Sequence, residues 1–196
     1  MRLLIFLTFL LSAYSFQASA NLYHSENIKE TSDTFGHISD KEITDPEWKT
    51  LQDSLFTLKY PATWEMNHTG QKGLSFVVIS PLEGETDKFR ENLSFVIQSM
   101  KNDDSTLKDF VEDNTSQILD MIANSKMLKN EEKMIGKIKY REVVYTGTQG
   151  NMELINTQRY IYHGDDAYVF TFTRIAGSDS NFEADGVKIM NSLKFK

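Results

Sequence analysis

Apolar and polar positions repeat along the chain with two different periods, and the switches between them mark out its elements. Trp48 to Leu51 and Leu55 to Tyr60 read as two short strands around Gln52, Asp53 and Ser54, and Pro61 stops the second. Leu74 to Ile79 is almost continuously apolar and closes at Ser80-Pro81, which predicts a strand buried on both faces. The charged stretch from Gly84 to Asn92 predicts a loop, and Leu93 to Ile97 a further strand. The period then lengthens. Leu107, Phe110, Val111, Ile118, Met121 and Ile122 fall on one helical face, while Lys108, Asp109, Glu112, Asp113, Gln117 and Asp120 point away. Thr106 followed by Asp109 predicts a capping box at the start of this helix, with the Asp104 carboxylate near its positive end.

Beyond the helix, strands are predicted at Ser125 to Leu128 and at Lys137 to Thr146, with Gly147 and Gly150 marking the next turn. Met152 to Tyr162 and Ala167 to Ile175 predict a hairpin across His163-Gly164-Asp165-Asp166, where Gly164 supplies the positive φ of a tight turn. A last helix is predicted from Ser180, with Glu183 three residues on as a second capping box and Phe182, Val187 and Met190 as its buried stripe. Strands in runs, joined by hairpin-length connections and accompanied by two helices, predict an α+β fold. Both-face burial of the apolar strands adds helices on both faces of a mainly antiparallel sheet, an α/β/α sandwich.

The first residues bear on compartment. Arg2 precedes an apolar run from Leu3 to Leu11 broken only by Thr8, and Ala18, Ser19 and Ala20 follow, the pattern of a cleaved signal peptide over residues 1–20. The run is too short to span a hydrocarbon layer of about 30 Å, and no later segment approaches the roughly 20 apolar residues of a membrane helix. A polar, aperiodic stretch over 21–46 predicts a flexible leader ahead of a folded domain at 47–196. The expected destination is periplasmic or secreted. The chain has Cys 0, which excludes disulfides, thiolate metal sites, a cysteine nucleophile and the acceptor of a lipoprotein anchor. Its net charge of -7 argues against nucleic acid, whose phosphates call for a basic face.

Phe56-Thr-Leu-Lys-Tyr60-Pro61-Ala-Thr-Trp64 resembles the Phe-x-hydrophobic-x-Tyr-Pro-x-x-Trp opening of PsbP-like proteins. The later order is similar too: the Ser80-Pro81 strand end, the helix near Leu107, the hairpin ending in Ala167-Tyr168-Val169-Phe170, and a closing Ile189-Met190-Asn191-Ser192-Leu193. The resemblance runs from Trp48 to Phe195 and rests on order and spacing together. It implies a non-enzymatic α/β/α sandwich. In photosynthetic members that sandwich is an extrinsic protein on a membrane complex, where it influences retention of calcium and chloride. The N-terminus here is a plain secretory signal and not a bipartite thylakoid one, so the photosystem role is not carried over.

The residues nominate no catalytic set. There is no Gly-x-Ser-x-Gly, and His68 and His163, the histidines of the folded part, have no triad context. No metal site is nominated either. His163, Asp165 and Asp166 cluster at one turn that Gly164-Asp165-Asp166 already explains. Asn181-x-Glu183-x-Asp185-Gly186 matches the middle of a calcium loop, yet position one is Asn181 and position twelve is Ser192. Tyr160, Tyr162, Tyr168, Phe170 and Phe172 read as cross-strand core before they read as a ligand groove. No cofactor is expected and no binding residue stands out. The expected function is an exported, non-catalytic accessory or binding protein that docks on a protein partner in the cell envelope. The alternative is a small-molecule or divalent-ion-binding module.

Overall fold

The computed structural model describes residues 47–68, 74–177 and 182–196, which belong to a unit running from Glu47 to Lys196. In chain order these form strands β1 (Trp48–Gln52), β2 (Phe56–Pro61), β3 (Glu65–Asn67), β4 (Leu74–Ile79) and β5 (Asn92–Ser99), then helix α1 (Leu107–Met121). Strands β6 (Ala123–Ile135), β7 (Ile138–Gln149), β8 (Met152–His163) and β9 (Asp166–Ile175) follow, then helix α2 (Phe182–Asn191) and strand β10 (Lys194–Phe195). Seven strands make one sheet in the order β3-β4-β5-β9-β8-β7-β6, and β1-β2-β10 make a second. Every recorded pairing is antiparallel. The fold is α+β, a mainly antiparallel sheet with two helices.

Alternation on β2 turns Phe56 and Leu58 inward, where Phe56 meets the Phe95 ring edge-on at 4.8 Å and so joins the small sheet to the large one. Phe95 in turn meets Phe170 at 4.2 Å, and Ile189, Met190 and Leu193 complete the same core. Helix α2 is tied to β2 by Ser192, whose Oγ accepts from the Lys59 amide at 2.8 Å and donates to the Ile189 carbonyl at 2.7 Å. Gly186 lets the helix sit directly on the sheet: an added Cβ there would lie 2.5 Å from the Phe172 ring.

Helix α1 opens with the predicted box. The Asp109 amide donates to Thr106 Oγ1 at 3.2 Å, and the Thr106 amide donates to Asp109 Oδ2 at 2.9 Å. Phe110 packs against Tyr160 and Tyr162 of β8, at 6.1 and 5.7 Å between ring centres. The buried face differs from the apolar stripe in two respects. Asn114 and Thr115 are buried, because each donates back to its own helix, to the carbonyls of Phe110 and Val111. Met121 is 47% exposed and Ile122 is the C-cap, because the helix ends as the chain turns into β6.

Other elements also depart from the pattern. Strand β6 is 13 residues long where four were expected, since it is the sheet edge and its charged residues reach water. Strands β3 and β10 are too short to show a period. Pro61 ends β2 from within, paired with Trp48. Val187, expected in the buried stripe of α2, is 42% exposed, while Gly186, Ile189 and Met190 face the sheet. The Ser180 cap lies outside the described residues.

Candidate functional site

Strands β7 and β8 are joined at Gly150-Asn151, and the register that follows sets Glu142 opposite Arg159. On the other side of β7, β6 sets Glu131 opposite Glu142 and Lys133 opposite Tyr140. Pairing carries these side chains onto one face of the sheet, because alternate residues of a strand share a face. Arg159 Nε donates to Glu142 Oε2 at 3.0 Å, and Nη1 donates to Asn191 Oδ1 of α2 at 2.8 Å. Lys133 Nζ donates to Glu142 Oε1 at 2.5 Å, with Lys129 Nζ 3.6 Å from the same oxygen and 3.1 Å from Glu131. The guanidinium also lies over the Tyr140 ring, 5.2 Å from its centre.

Glu142 and Arg159 are 6% and 7% exposed. Burial alone would raise the Glu142 pKa, but hydrogen bonds from Lys133 and Arg159, reinforced by their charges, outweigh it and hold the carboxyl below its ordinary value. Lys129 is shifted up, first by its hydrogen bond to Glu131. The cluster sets three cationic side chains, Lys129, Lys133 and Arg159, around the carboxylates of Glu131 and Glu142.

The cluster floors a groove of about 370 Å³ between the sheet and α2. Phe172, Val187 and Met190 form an apolar wall, and Lys133, Glu142, Arg159 and Asn191 line the polar part. Residues of the alternate parity on β8 are closed instead: the Tyr160 hydroxyl donates to Gln158 Oε1, and Gln158 Nε2 donates to Thr171 Oγ1 at 3.1 Å. Burial, with the Tyr145 charge adding to it, pushes the Tyr160 hydroxyl well above its ordinary pKa.

The turn and loop residues weighed from the sequence occupy other places. His163 stacks on Phe195 at 4.4 Å, and no group of three His, Asp or Glu side chains converges for a metal among the described residues. Glu183 pairs with Arg174 at 3.2 Å, and Glu183, Asp185 and Gly186 of the partial calcium pattern lie in helix α2, while Asn181, which opens it, lies outside the described residues. The five aromatic candidates divide by strand parity. Tyr160 and Tyr162 meet Phe110, Tyr168 and Phe170 meet Phe95, and Phe172 alone of the five reaches the groove. Lys133, Glu142, Arg159 and Asn191 carry no motif. Their one sequence signal is that Glu142 and Arg159 are equidistant from the Gly150-Asn151 turn.

No family model and no curated protein matches the chain. Solved structures do. CyanoP, the cyanobacterial PsbP of Synechocystis, superposes with a TM-score of 0.57 at 13% identity, over 81% of this chain and 98% of that one. The fold is PsbP-like. LpqN of Mycobacterium tuberculosis, described as involved in cell envelope biogenesis, is similar at TM-score 0.55 and 7% identity, over 76% of this chain and 91% of that one. PA94 of Pseudomonas aeruginosa, a protein of unknown function, is similar at TM-score 0.53 and 14% identity, over 74% and 94%. The PsbP-like fold thus accounts for nearly the whole of each neighbour. Among the described residues, no helix is long and apolar enough to cross a membrane.

Proposed function

We propose that this chain is an exported, non-catalytic accessory protein that docks on an envelope or membrane-associated partner, using the Glu142–Arg159 groove as its contact site. The observation that carries the reading is the closed pairing of the groove's carboxylate, whose two oxygens accept from Lys133 and Arg159. A general acid or base works best with a pKa near the operating pH, and Glu142 is held on the far side of its ordinary value by two cationic donors. Such a cluster fixes charge for recognition. The envelope role attributed to LpqN, on a similar fold, supports the compartment.

On this reading residues 1–20 are a signal peptide, the mature chain begins at Asn21, and residues 21–46 link it to the folded domain at 47–196. The domain is an α/β/α sandwich. Strand parity supports that layering, since α1 meets Tyr160 and Tyr162 while α2 meets Arg159 and Phe172, and Arg159 and Tyr160 are consecutive on β8. Expression of the full chain with mass analysis of the exported product, followed by envelope fractionation, tests the proposal. A product starting at Asn21 that co-fractionates with envelope, and loses that association on Lys133→Glu, is the expected result. An unprocessed cytoplasmic chain contradicts it.

A second reading, a small-molecule-binding module, is favoured by the groove itself, whose volume of about 370 Å³ lies within the roughly 300–1,000 Å³ range of ligand pockets.

A further inference from the structure

We infer that the groove takes a monoanionic amphiphile, a single carboxylate head on a short apolar body. The inference rests on the second reading above and names the ligand class. Three features of the groove point to it together. Its charge balance is one: Lys133 and Arg159 line it against the single carboxylate of Glu142, a surplus of one positive charge in a chain whose net charge is -7. One surplus charge suits a monoanion.

The unspent donors are the second feature. Arg159 is 7% exposed and uses Nε on Glu142 and Nη1 on Asn191, while Nη2 has no hydrogen-bond or ion-pair partner among the described residues. A guanidinium fixed in place by Glu142, Asn191 and the Tyr140 ring loses little further freedom when its Nη2 donates to a carboxylate oxygen. Lys133, on the same rim, has one acceptor recorded for its three donors.

The third feature is the wall. Val187 is 42% exposed at the groove edge, directly after Gly186 in a helix pressed onto Phe172, and Met190 follows on the inner side. An exposed valine beside a buried arginine gives a tail an apolar surface within reach of the head's partner. The carboxylate then accepts from Arg159 Nη2 and Lys133 Nζ, and the body lies along Val187 and Met190.

Calorimetry and amide chemical-shift mapping with octanoate, below its aggregation concentration, test this, with acetate and octan-1-ol as the head-only and tail-only probes. Saturable octanoate binding is expected, with the largest shifts at residues 187–191 and in β8, and at least tenfold weaker binding of either partial probe. Val187→Asp, an exposed helix position that the fold tolerates, should weaken octanoate at least tenfold with an unchanged circular dichroism spectrum. Lys133→Gln should weaken it about fivefold. No saturable heat, shifts elsewhere, or wild-type affinity in Val187→Asp overturns the inference. If octanoate fails while the envelope association of the unliganded protein persists and still depends on Lys133, the ligand class falls and the docking proposal stands.

Discussion

Glu142 and Arg159 face each other directly across β7 and β8, and their 3.0 Å ion pair, itself almost closed to water, is the hinge of a charged cluster whose lysines reach the surface. Two desolvated charges are tolerable only because each has further partners: Lys133 on the carboxylate, and Asn191 and Tyr140 on the guanidinium. The pair also couples α2 to the sheet, since Asn191 is the last residue of that helix.

Removing one charge should therefore cost more than removing both. Glu142→Leu leaves Arg159 buried without its counter-ion and should destabilise by about 3 kcal/mol. The double substitution Glu142→Leu with Arg159→Met should recover most of that loss. Urea unfolding of the four proteins in the cycle checks both outcomes.

The same pair fixes the acid side of the stability profile. Because the folded-state pKa of Glu142 is depressed, its contribution is fully present above the ordinary carboxylate value, about 4.3, and is lost as pH falls through the lower folded-state value. Glu142→Gln lacks this titration, so the stability gap between it and the wild type should narrow as pH drops below about 4.3. A gap constant from pH 7 to pH 3 would contradict the sign.

Gly186 sets helix propensity against packing. Alanine in a helix interior is favoured over glycine by about 1 kcal/mol, yet the new Cβ would sit 2.5 Å from a Phe172 ring that is itself 2% exposed. Packing wins. Gly186→Ala should destabilise by about 1–3 kcal/mol, and combining it with Phe172→Leu should cost less than the sum of the two single changes. Thermal unfolding reads both.

Loss of the α1 cap should be milder. Thr106→Ala removes the acceptor for the Asp109 amide and the hydroxyl that donates to Asp109 Oδ2, a cost of about 1 kcal/mol. Thr106→Ser should restore it.

What could be read from the residues follows from where each signal is stored. Helix α1 was legible because its period and its box lie within one contiguous stretch, and both are local physics. Strands β8 and β9 were legible because alternation flanks Gly164, whose φ of 61° a tight turn requires. Strand β6 was not, because an edge strand satisfies its pattern with Lys129, Glu131 and Lys133, which look like loop residues until β7 is placed beside them. Val187 was misplaced because Gly186, with no side chain to score, takes the position closest to the sheet. The groove was hidden for a further reason. Lys133, Glu142, Arg159 and Asn191 are separated along the chain by 9, 17 and 32 residues, and antiparallel register together with the seating of α2 on the sheet brings them together.

The claim that contact through this groove is what the fold presents can be tested most directly by a photo-crosslinker placed at Val187, with Leu119 on the exposed side of α1 as the control position. In living cells the account predicts one reproducible envelope adduct from position 187, lost on Lys133→Glu, and none from 119. Adducts of equal yield at both positions, or none at 187, would contradict it.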